Sequence, residues 1–285
     1  MGLLVNIEAI DRAGKSTQAD DIIPVLEERG VSVVRMAFPD RPDPRNPDFH
    51  TVAHFPTGIL VNRFLGRGFP PGSLTLFDKG DALFRRVDHL ADDLLASVAD
   101  ERSPKERSPR TEEIVKAAKS ELMDVVRAKM IQAIYSINRR ERYEGDDGMG
   151  ANLTHFDVVV VERLLSGWTY GIAEGASRAQ IISLEGELPQ PDITFLLDLD
   201  PGVAKNRRGD EPADFYEENL SYQAKVRELY LELHRQEGAA SAAANRPARI
   251  IKIDASLPKE TQTGIIVDTV TRRLHGDYTR PLLSV

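Results

Sequence analysis

Cysteine and long apolar runs are both missing from this sequence of 285 residues. The absence of cysteine excludes disulfide bonds, thiolate zinc sites and a cysteine nucleophile, and it is compatible with a reducing cytosol. No apolar run approaches the roughly 18 residues that a membrane-spanning helix needs. The N-terminal stretch MGLLVNIE reaches a charged residue too early for a signal peptide, and Asn6 breaks the myristoylation pattern. We therefore expect a cytoplasmic protein that does not bind a membrane.

Basic residues are also fewer than acidic residues. The chain has 37 Lys and Arg residues against 45 Asp and Glu residues, so its formal net charge is −8. Nucleic-acid binding needs a basic surface and, for single strands, aromatic stacking platforms, and the sequence offers neither. We expect no nucleic-acid partner, although a local basic pocket for a small anion is allowed. At 285 residues the chain is long enough for one large α/β domain or two small ones, and 41% hydrophobic residues allow it to bury a sizeable core.

The N-terminal residues alternate between strand and helix patterns. LLVNIE (3–8) is a short, mostly apolar run that predicts a buried strand. KSTQADDIIPVLEERG carries apolar residues at helical spacing and ends at Gly30, so it predicts an amphipathic helix that contains Pro24. VSVVRMAF (31–38) predicts a second strand. Together these segments predict a βαβ unit.

Strand and helix patterns alternate along the rest of the chain as well. Continuous apolar runs of strand length are typical of parallel strands that are covered on both faces. We therefore predict an α/β fold with a doubly wound parallel sheet in a single domain, 1–285. The predicted later strands are 157–162, 193–200 and 248–254, and the predicted later helices are about 112–142, 217–236 and 258–274. An irregular insertion at about 42–112 and a low-complexity linker at 238–248 interrupt this pattern.

The segment EAIDRAGKSTQ (8–18) lies between the first predicted strand and the first predicted helix. It ends like the phosphate-binding pattern G-x-x-x-x-G-K-[ST], with Gly14, Lys15 and Ser16, but Ala9 stands in place of the first glycine. Backbone N–H groups and a helix N-terminus at such a loop favour phosphate. Alanine is harmless there if its φ is negative and costs on the order of 1 kcal/mol if φ is positive. Two interpretations stay open: a working nucleotide site, or the remnant of one.

Several segments resemble those of the thymidylate kinases, a family of P-loop nucleoside monophosphate kinases. IEAIDRAGKSTQ is similar to the family's E-G-x-D-x-A-G-K-S-T-Q, and FPDR (38–41) is similar to its F-P-x-R. Further blocks that resemble the family, in the family's order, are IYSINRRER (134–142), VVVVERLLSG (158–167), LPQPDITFLLDLD (188–200) and EENLSYQAKVRELYLEL (217–233). The resemblance implies a five-stranded parallel sheet flanked by helices, with a mobile lid at about 204–217.

On the donor side, the resemblance implies ATP as the phosphoryl donor and Mg²⁺ as the cofactor. Lys15 would reach the β- and γ-phosphates, and Arg12 would contact the transferred phosphate. Ser16 would ligate Mg²⁺, and Glu162 would do so directly or through water, unless Glu162 is only a surface acid at a strand end. The implied ATP-binding residues are Ala13, Gly14, Lys15, Ser16 and Thr17, with Arg207 and Arg208 in the lid and Lys205 as a further lid candidate.

On the acceptor side, the resemblance implies that Asp11 lies near the sugar and phosphate. Tyr135 would stack on the base, unless it only packs in the core, and Arg139 would reach the base or phosphate, unless Arg140 or Arg142 does so. The implied acceptor-binding residues are Asp11, Phe38, Arg41, Tyr135, Arg139 and Arg163, where Arg41 and Arg163 hold the phosphate and Arg41 could instead be a solvated loop charge. The implied catalytic residues are Lys15, Arg12, Asp11 and Arg163.

The implied reaction is the transfer of a phosphoryl group from ATP to thymidine monophosphate by a homodimeric enzyme. Ala9, Glu162 and Leu164 depart from the Gly, Asp and Tyr of the family. These departures keep two alternatives open. One is a kinase for another or a modified deoxynucleoside monophosphate, and the other is a nucleotide-binding regulatory protein with impaired catalysis.

Overall fold

A computed structural model describes residues 1–38, 113, 132–133, 135–145, 148–207 and 219–276. Within these ranges, five strands form one parallel sheet in the order β2-β3-β1-β4-β5. The strands are β1 (Leu3–Glu8), β2 (Val33–Ala37), β3 (Val158–Glu162), β4 (Ile193–Asp198) and β5 (Ile250–Asp254). The predicted α/β fold and its parallel sheet are confirmed. The predicted insertion at 42–112 lies outside the described residues.

Helices of the described residues connect and cover the strands. They are α1 (Lys15–Glu28), α2 (Met149–His155), α3 (Arg178–Glu185), α4 (Pro201–Asn206), α5 (Leu220–Ala243) and α6 (Lys259–Leu274), with a π-helical turn at Gly167–Gly171 and helical residues at 135–144. The helices α2, α3 and α4 are absent from the sequence-based prediction. None of the helices in these ranges is long and apolar enough to cross a membrane.

The C-terminal half of α5 corrects the sequence-based prediction. The sequence predicts a linker at 238–248, but α5 continues through Ala243 and only the residues after it connect to β5. The reason is the run of alanines in GAASAAA, because alanine has the highest helix propensity of all residues. Asn219 begins this helix by accepting a hydrogen bond from the Tyr222 backbone N–H at 3.0 Å.

Both faces of the sheet are buried. Alternate residues of β3 belong to different hydrophobic clusters: Val158 and Val160 lie in the larger one, and Val159 and Val161 in the smaller one. Successive strand residues point to opposite faces, so the two clusters cover the two sides of the sheet. This is why the strands read as continuous apolar runs in the sequence.

The carboxyl ends of the central strands lie side by side. Glu162 at the end of β3 is opposite Ile7 of β1 and Ala37 of β2. The loop after β1 and the turn after β3 therefore leave the sheet at the same edge. In open parallel sheets this edge forms the ligand crevice, and most of the predicted site residues on described elements follow these strand ends.

Candidate functional site

The loop after β1 has the backbone that a phosphate-binding loop needs. Gly14 adopts a left-handed conformation with φ of 100°, and α1 begins directly after it. A Cβ at Gly14 would meet nothing within 4 Å, so backbone conformation rather than space requires the glycine. Arg12 also has a positive φ, of 63°. Ala13 is buried, Ser16 is half-buried and Thr17 is exposed.

Ala9 fits this loop without strain. Among the described non-glycine residues, φ is positive only at Arg12, Arg163 and Asn245, so φ at Ala9 is not positive. The methyl group of Ala9 is fully buried in the larger hydrophobic cluster. Alanine therefore carries no left-handed penalty at this position, as the harmless interpretation of the substitution requires.

Lys15 is folded over its own loop. Its Nζ donates hydrogen bonds to the carbonyl oxygens of Ala9 at 2.9 Å and Ile10 at 2.7 Å, and it lies 3.9 Å from Asp11 Oδ1. Only 5% of the residue is exposed. A positive charge is thus held at the rim of the loop, where phosphate groups would approach the helix N-terminus.

Ser16 and Glu162 are in contact. The Ser16 hydroxyl donates to Glu162 Oε2 at 2.8 Å, and Glu162 is almost completely buried. Hydroxyl and carboxylate oxygens are hard donors of the kind that Mg²⁺ prefers. Within the described ranges no group of three His, Cys, Asp or Glu residues could hold a metal ion. The two side chains therefore fit a magnesium ion that takes its remaining ligands from phosphate oxygens and water.

Arg35 of β2 holds the other oxygen of this carboxylate. Its Nε and Nη2 donate to Glu162 Oε1 at 2.9 and 2.6 Å, and its Nη1 donates to Asp20 of α1. Sequence reasoning missed this residue. An arginine inside an otherwise apolar strand was the available signal, because a guanidinium that is partly withdrawn from water favours an acidic partner.

Asp11 is the centre of a buried network beside the loop. It accepts hydrogen bonds from Arg163 Nη2, from Tyr170 Oη at 2.9 Å and from Gln223 Nε2 at 3.1 Å. Burial alone would raise the pKa of Asp11, but the charges of Arg163 and Lys15 outweigh it and hold that pKa well below its usual range. Asp11 is therefore an anion at neutral pH that fixes the direction of Arg163. The sequence analysis missed Tyr170 and Gln223.

Arg139 is deeply buried and paired. Its Nη2 donates to Glu185 of α3 and its Nη1 to the Ser166 hydroxyl at 3.3 Å, whereas its Nε has no hydrogen-bond partner among the described residues. Burial lowers the pKa of Arg139 to about 10, so it remains charged at neutral pH. Ser136 also donates to Glu185, at 2.7 Å. Through Ser166, Arg139 thus contacts the turn that follows Arg163.

Gly167 lies against the same carboxylate. A Cβ at this position would be 2.5 Å from both carboxylate oxygens of Glu185. Glu185 is a flexible side chain in principle, but Arg139 and Ser136 hold it in place. Close approach of Glu185 therefore requires the glycine.

The other described residues that the sequence assigns to acceptor binding are partly or wholly buried. Tyr135 is half-buried and packs against the larger hydrophobic cluster. Phe38 and Leu164 lie in the smaller cluster, and the Phe38 backbone N–H donates to the Glu162 carbonyl at 3.1 Å. The proposed contacts of Phe38, Tyr135 and Arg139 with an acceptor stay predictions. Arg41 lies outside the described residues.

A cleft opens between the phosphate loop, α4 and the start of α5. Its lining comes from the loop, from α4 and from the start of α5, namely Ile10, Asp11, Arg12, Pro201, Ala204, Lys205, Leu220 and Gln223. Arg207 is exposed at the end of α4, and its Nη2 donates to the Ala255 carbonyl oxygen at 2.8 Å. The predicted lid at 204–217 is described only as far as residue 207, and Arg208 lies outside the described residues.

The match to a known protein family covers the later part of the chain. A family model described as "Thymidylate kinase" matches residues 93–261, which is more than half of the chain. The match begins after the phosphate loop and β2 and includes β3, β4, β5 and α5. The assignment of the phosphate loop therefore depends on its own sequence and geometry.

Individual relatives match shorter segments. The chain is 36% identical over 91 residues to a thymidylate kinase of Magnetococcus marinus, which covers 31% of this chain and 37% of that protein. It is 36% identical over 101 residues to a probable thymidylate kinase of Pyrobaculum aerophilum, covering 35% and 52%. It is 33% identical over 134 residues to a thymidylate kinase of Symbiobacterium thermophilum, covering 44% and 58%. The matched parts thus span between 37% and 58% of these relatives' lengths.

Proposed function

The chain belongs to the thymidylate kinase family, and on that premise we propose that it transfers the γ-phosphoryl group of ATP to thymidine monophosphate, which gives ADP and thymidine diphosphate. The observation that carries the proposal is the contact between Asp11 of the phosphate loop and Arg163 of the turn after β3 at one edge of the sheet. Enzymes that move a phosphoryl group between two anionic nucleotides need positive charge on both sides of the transfer.

The donor side of the proposal uses the loop and its lysine. On nucleotide binding, Lys15 Nζ exchanges its hydrogen bonds to the Ala9 and Ile10 carbonyls for phosphate oxygens, and Arg12 contacts the transferred group. Ser16 and Glu162 are the residues that would hold Mg²⁺. When bound, the ion neutralises charge that develops on the phosphate oxygens.

The acceptor side needs positioning more than proton transfer. A phosphate monoester has a second pKa of about 6, so the attacking oxygen of the acceptor is already ionised at neutral pH. No general base is required, and Asp11, whose pKa is held low, is unsuited to that role. Arg163 instead neutralises and orients the acceptor phosphate, while Asp11 fixes the guanidinium. In this proposal Tyr135 stacks on the base and Arg139, Phe38 and Arg41 complete the pocket.

Two of the substitutions that raised the alternative functions, Ala9 and Leu164, fit their surroundings. Ala9 has no positive φ, so the loop backbone gives no sign of a remnant. Leu164 is buried in the smaller hydrophobic cluster, which gives its apolar side chain a packing role. A kinase with another base preference and an impaired regulatory protein are distinguished from the proposal by the outcome of the following test.

The test is a coupled assay of ADP release with a panel of thymidine, deoxyuridine, deoxycytidine, deoxyadenosine and deoxyguanosine monophosphates. We expect kcat/KM to be highest with thymidine monophosphate. A higher value with another acceptor would reassign the substrate, and transfer to none of them would favour the regulatory alternative. The variant Lys15→Ala, purified in the same way, is the control for contaminating kinases.

Assembly and location belong to the same proposal. We expect a homodimer, as the family resemblance implies, and a cytoplasmic location. Light scattering coupled to size-exclusion chromatography measures the mass of the assembly in solution. A mass equal to one chain of 31.7 kDa would contradict the dimer and leave the proposed reaction untouched.

A further inference from the structure

Arg163 has a backbone conformation that its own residue type disfavours. Its φ is 66°, in the left-handed region that non-glycine residues with long side chains seldom occupy. Such a conformation is strained for a residue with a Cβ and persists only where the surroundings impose it. The question is therefore which groups impose it here.

Two side chains of β1 hold the turn that begins at Arg163. The Leu164 backbone N–H donates to Asn6 Oδ1 at 3.3 Å, and the next backbone N–H, that of Leu165, donates to Glu8 Oε1 at 2.5 Å. Asn6 and Glu8 are two positions apart in the strand, so they lie on the same face of the sheet. Consecutive N–H groups of the turn thus dock onto alternate residues of the neighbouring strand.

These two side chains are themselves fixed. Asn6 Nδ2 donates to Glu8 Oε1 at 3.1 Å and to Thr194 Oγ1 at 3.4 Å, and Tyr230 Oη donates to Glu8 Oε2 at 2.6 Å. Both Asn6 and Glu8 are completely buried in the central strand of the sheet. Polar groups at such positions are costly unless they are hydrogen-bonded, and an apolar residue would suit the sheet as well. What the polar pair adds is a set of oriented acceptors for the turn.

We propose that Asn6 and Glu8 are positioning residues that impose the left-handed backbone at Arg163 and thereby aim its guanidinium at Asp11 and at the phosphate of the acceptor. The identity of that acceptor rests on the proposed function. The positioning itself rests on the hydrogen bonds between β1 and the turn. Neither residue contacts the reacting groups in this scheme, because both act through the backbone of residues 163–165.

The test replaces Asn6 by leucine, which has the same number and branching of non-hydrogen side-chain atoms and cannot accept a hydrogen bond. We expect the affinity for thymidine monophosphate, measured by calorimetry, to fall roughly tenfold, which is the loss of one ordinary hydrogen bond's contribution. The affinity for ATP should change less than about twofold. The backbone N–H of Leu164 should exchange with solvent faster in hydrogen-exchange measurements by NMR.

Two variants serve as matched controls. Thr194→Val removes a partner of the Asn6 amide but no contact with the turn, so its acceptor affinity should stay close to that of the parent. Glu8→Gln keeps a carbonyl oxygen that can accept from the Leu165 N–H, so it should retain most of the acceptor affinity. If Asn6→Leu does not fold, Asn6→Ala, which cannot overfill the site, takes the same measurements.

The outcomes separate this inference from the proposed function. Equal losses of acceptor and ATP affinity, or unchanged acceptor affinity with unchanged exchange at Leu164, would overturn the positioning role. A parent protein that binds and phosphorylates no deoxynucleoside monophosphate would contradict the proposed function. In that case, faster exchange at Leu164 in Asn6→Leu but not in Thr194→Val would still support control of the turn, and unchanged exchange would still refute it.

Discussion

The phosphate loop and the Arg163 turn are two solutions to the same task. Each leaves the sheet at the carboxyl end of a central strand, and each contains an arginine with positive φ, 63° at Arg12 and 66° at Arg163. The phosphate loop is held from within, because Lys15 ties the carbonyls of Ala9 and Ile10 and Gly14 supplies the left-handed turn. These backbone contacts lie within a short stretch of sequence, although Asp11 and Ser16 also contact distant residues.

The Arg163 turn is held from outside. Its N–H groups dock onto Asn6 and Glu8, which are more than 150 positions away in the sequence, and Asp11 fixes its guanidinium from a similar distance. The lesson is that the loop keeps its shape as a local motif, whereas the turn depends on the sheet. The two regions should therefore respond differently to substitution.

Removal of Lys15 should have the largest effect. We expect Lys15→Ala to lower the rate of phosphoryl transfer by roughly 10²-fold or more, because the charge nearest the transferred group is lost. A coupled assay of ADP release measures it. Lys252→Ala, an exposed lysine of β5 that pairs with Asp198, is the matched control. Near-normal turnover in Lys15→Ala would reject the assignment of the phosphate loop to ATP. It would also remove the basis for comparing that loop with the Arg163 turn.

Removal of Arg163 should affect one substrate only. Losing a charge-assisted contact in Arg163→Ala should lower kcat/KM for the acceptor roughly ten- to a hundredfold and leave ATP affinity nearly unchanged. Arg163→Gly should show the same kinetic loss but be more stable than Arg163→Ala by about 1 kcal/mol, since glycine tolerates the positive φ. Denaturant unfolding measures that difference. Equal stability of the two variants would show that the turn is not strained.

Removal of Arg35 should affect Glu162, which precedes the Arg163 turn and contacts Ser16 next to the phosphate loop. We expect Arg35→Leu to raise the Mg²⁺ concentration needed for half-maximal ADP binding about tenfold, because groups that orient a metal ligand typically contribute that much to metal affinity. A calorimetric ADP titration at a series of Mg²⁺ concentrations measures it. Asp20→Asn, which touches Arg35 but not Glu162, is the control. An unchanged or lower Mg²⁺ requirement in Arg35→Leu would reject the orienting role.

The substitution Ala9→Gly should have the smallest effect. Because φ at Ala9 is not positive, glycine relieves no strain there, and nucleotide affinity should change by less than about tenfold. Calorimetric titration of ATP measures this affinity. A gain in activity of several orders of magnitude would mean that the native loop is impaired, and the regulatory alternative would then be favoured.

The difference between the two regions also explains what the sequence could reveal. The sheet, α1 and the phosphate loop were predictable because their signals are local: apolar runs, helical spacing and Gly14 before Lys15. The partners of Arg163 were not, because nothing in the stretch LLVNIE shows that Asn6 and Glu8 face a turn after β3. Their polarity within a buried strand was the only available hint.

The same reasoning applies to the pairs around Glu162 and Arg139. The sequence placed Glu162 at a strand end, and Ser16 was expected near it from the family resemblance. Arg35 and Glu185 could not be matched to these residues, because a salt bridge between distant elements requires knowledge of strand order and helix placement. The α5 helix illustrates the opposite failure, since a low-complexity composition concealed good helix formers.

Gly167 has a consequence for how this protein can change over time. Any side chain at position 167 would collide with the Glu185 carboxylate, which Arg139 and Ser136 hold in place. Position 167 can therefore accept a new residue only after position 185 has been shortened, and shortening it first leaves the Arg139 charge buried without its partner. Either order of these two steps therefore passes through a destabilised intermediate. The surroundings of Arg139 are thus closed to single substitutions at position 167, whereas the phosphate loop carries the change at Ala9 without strain.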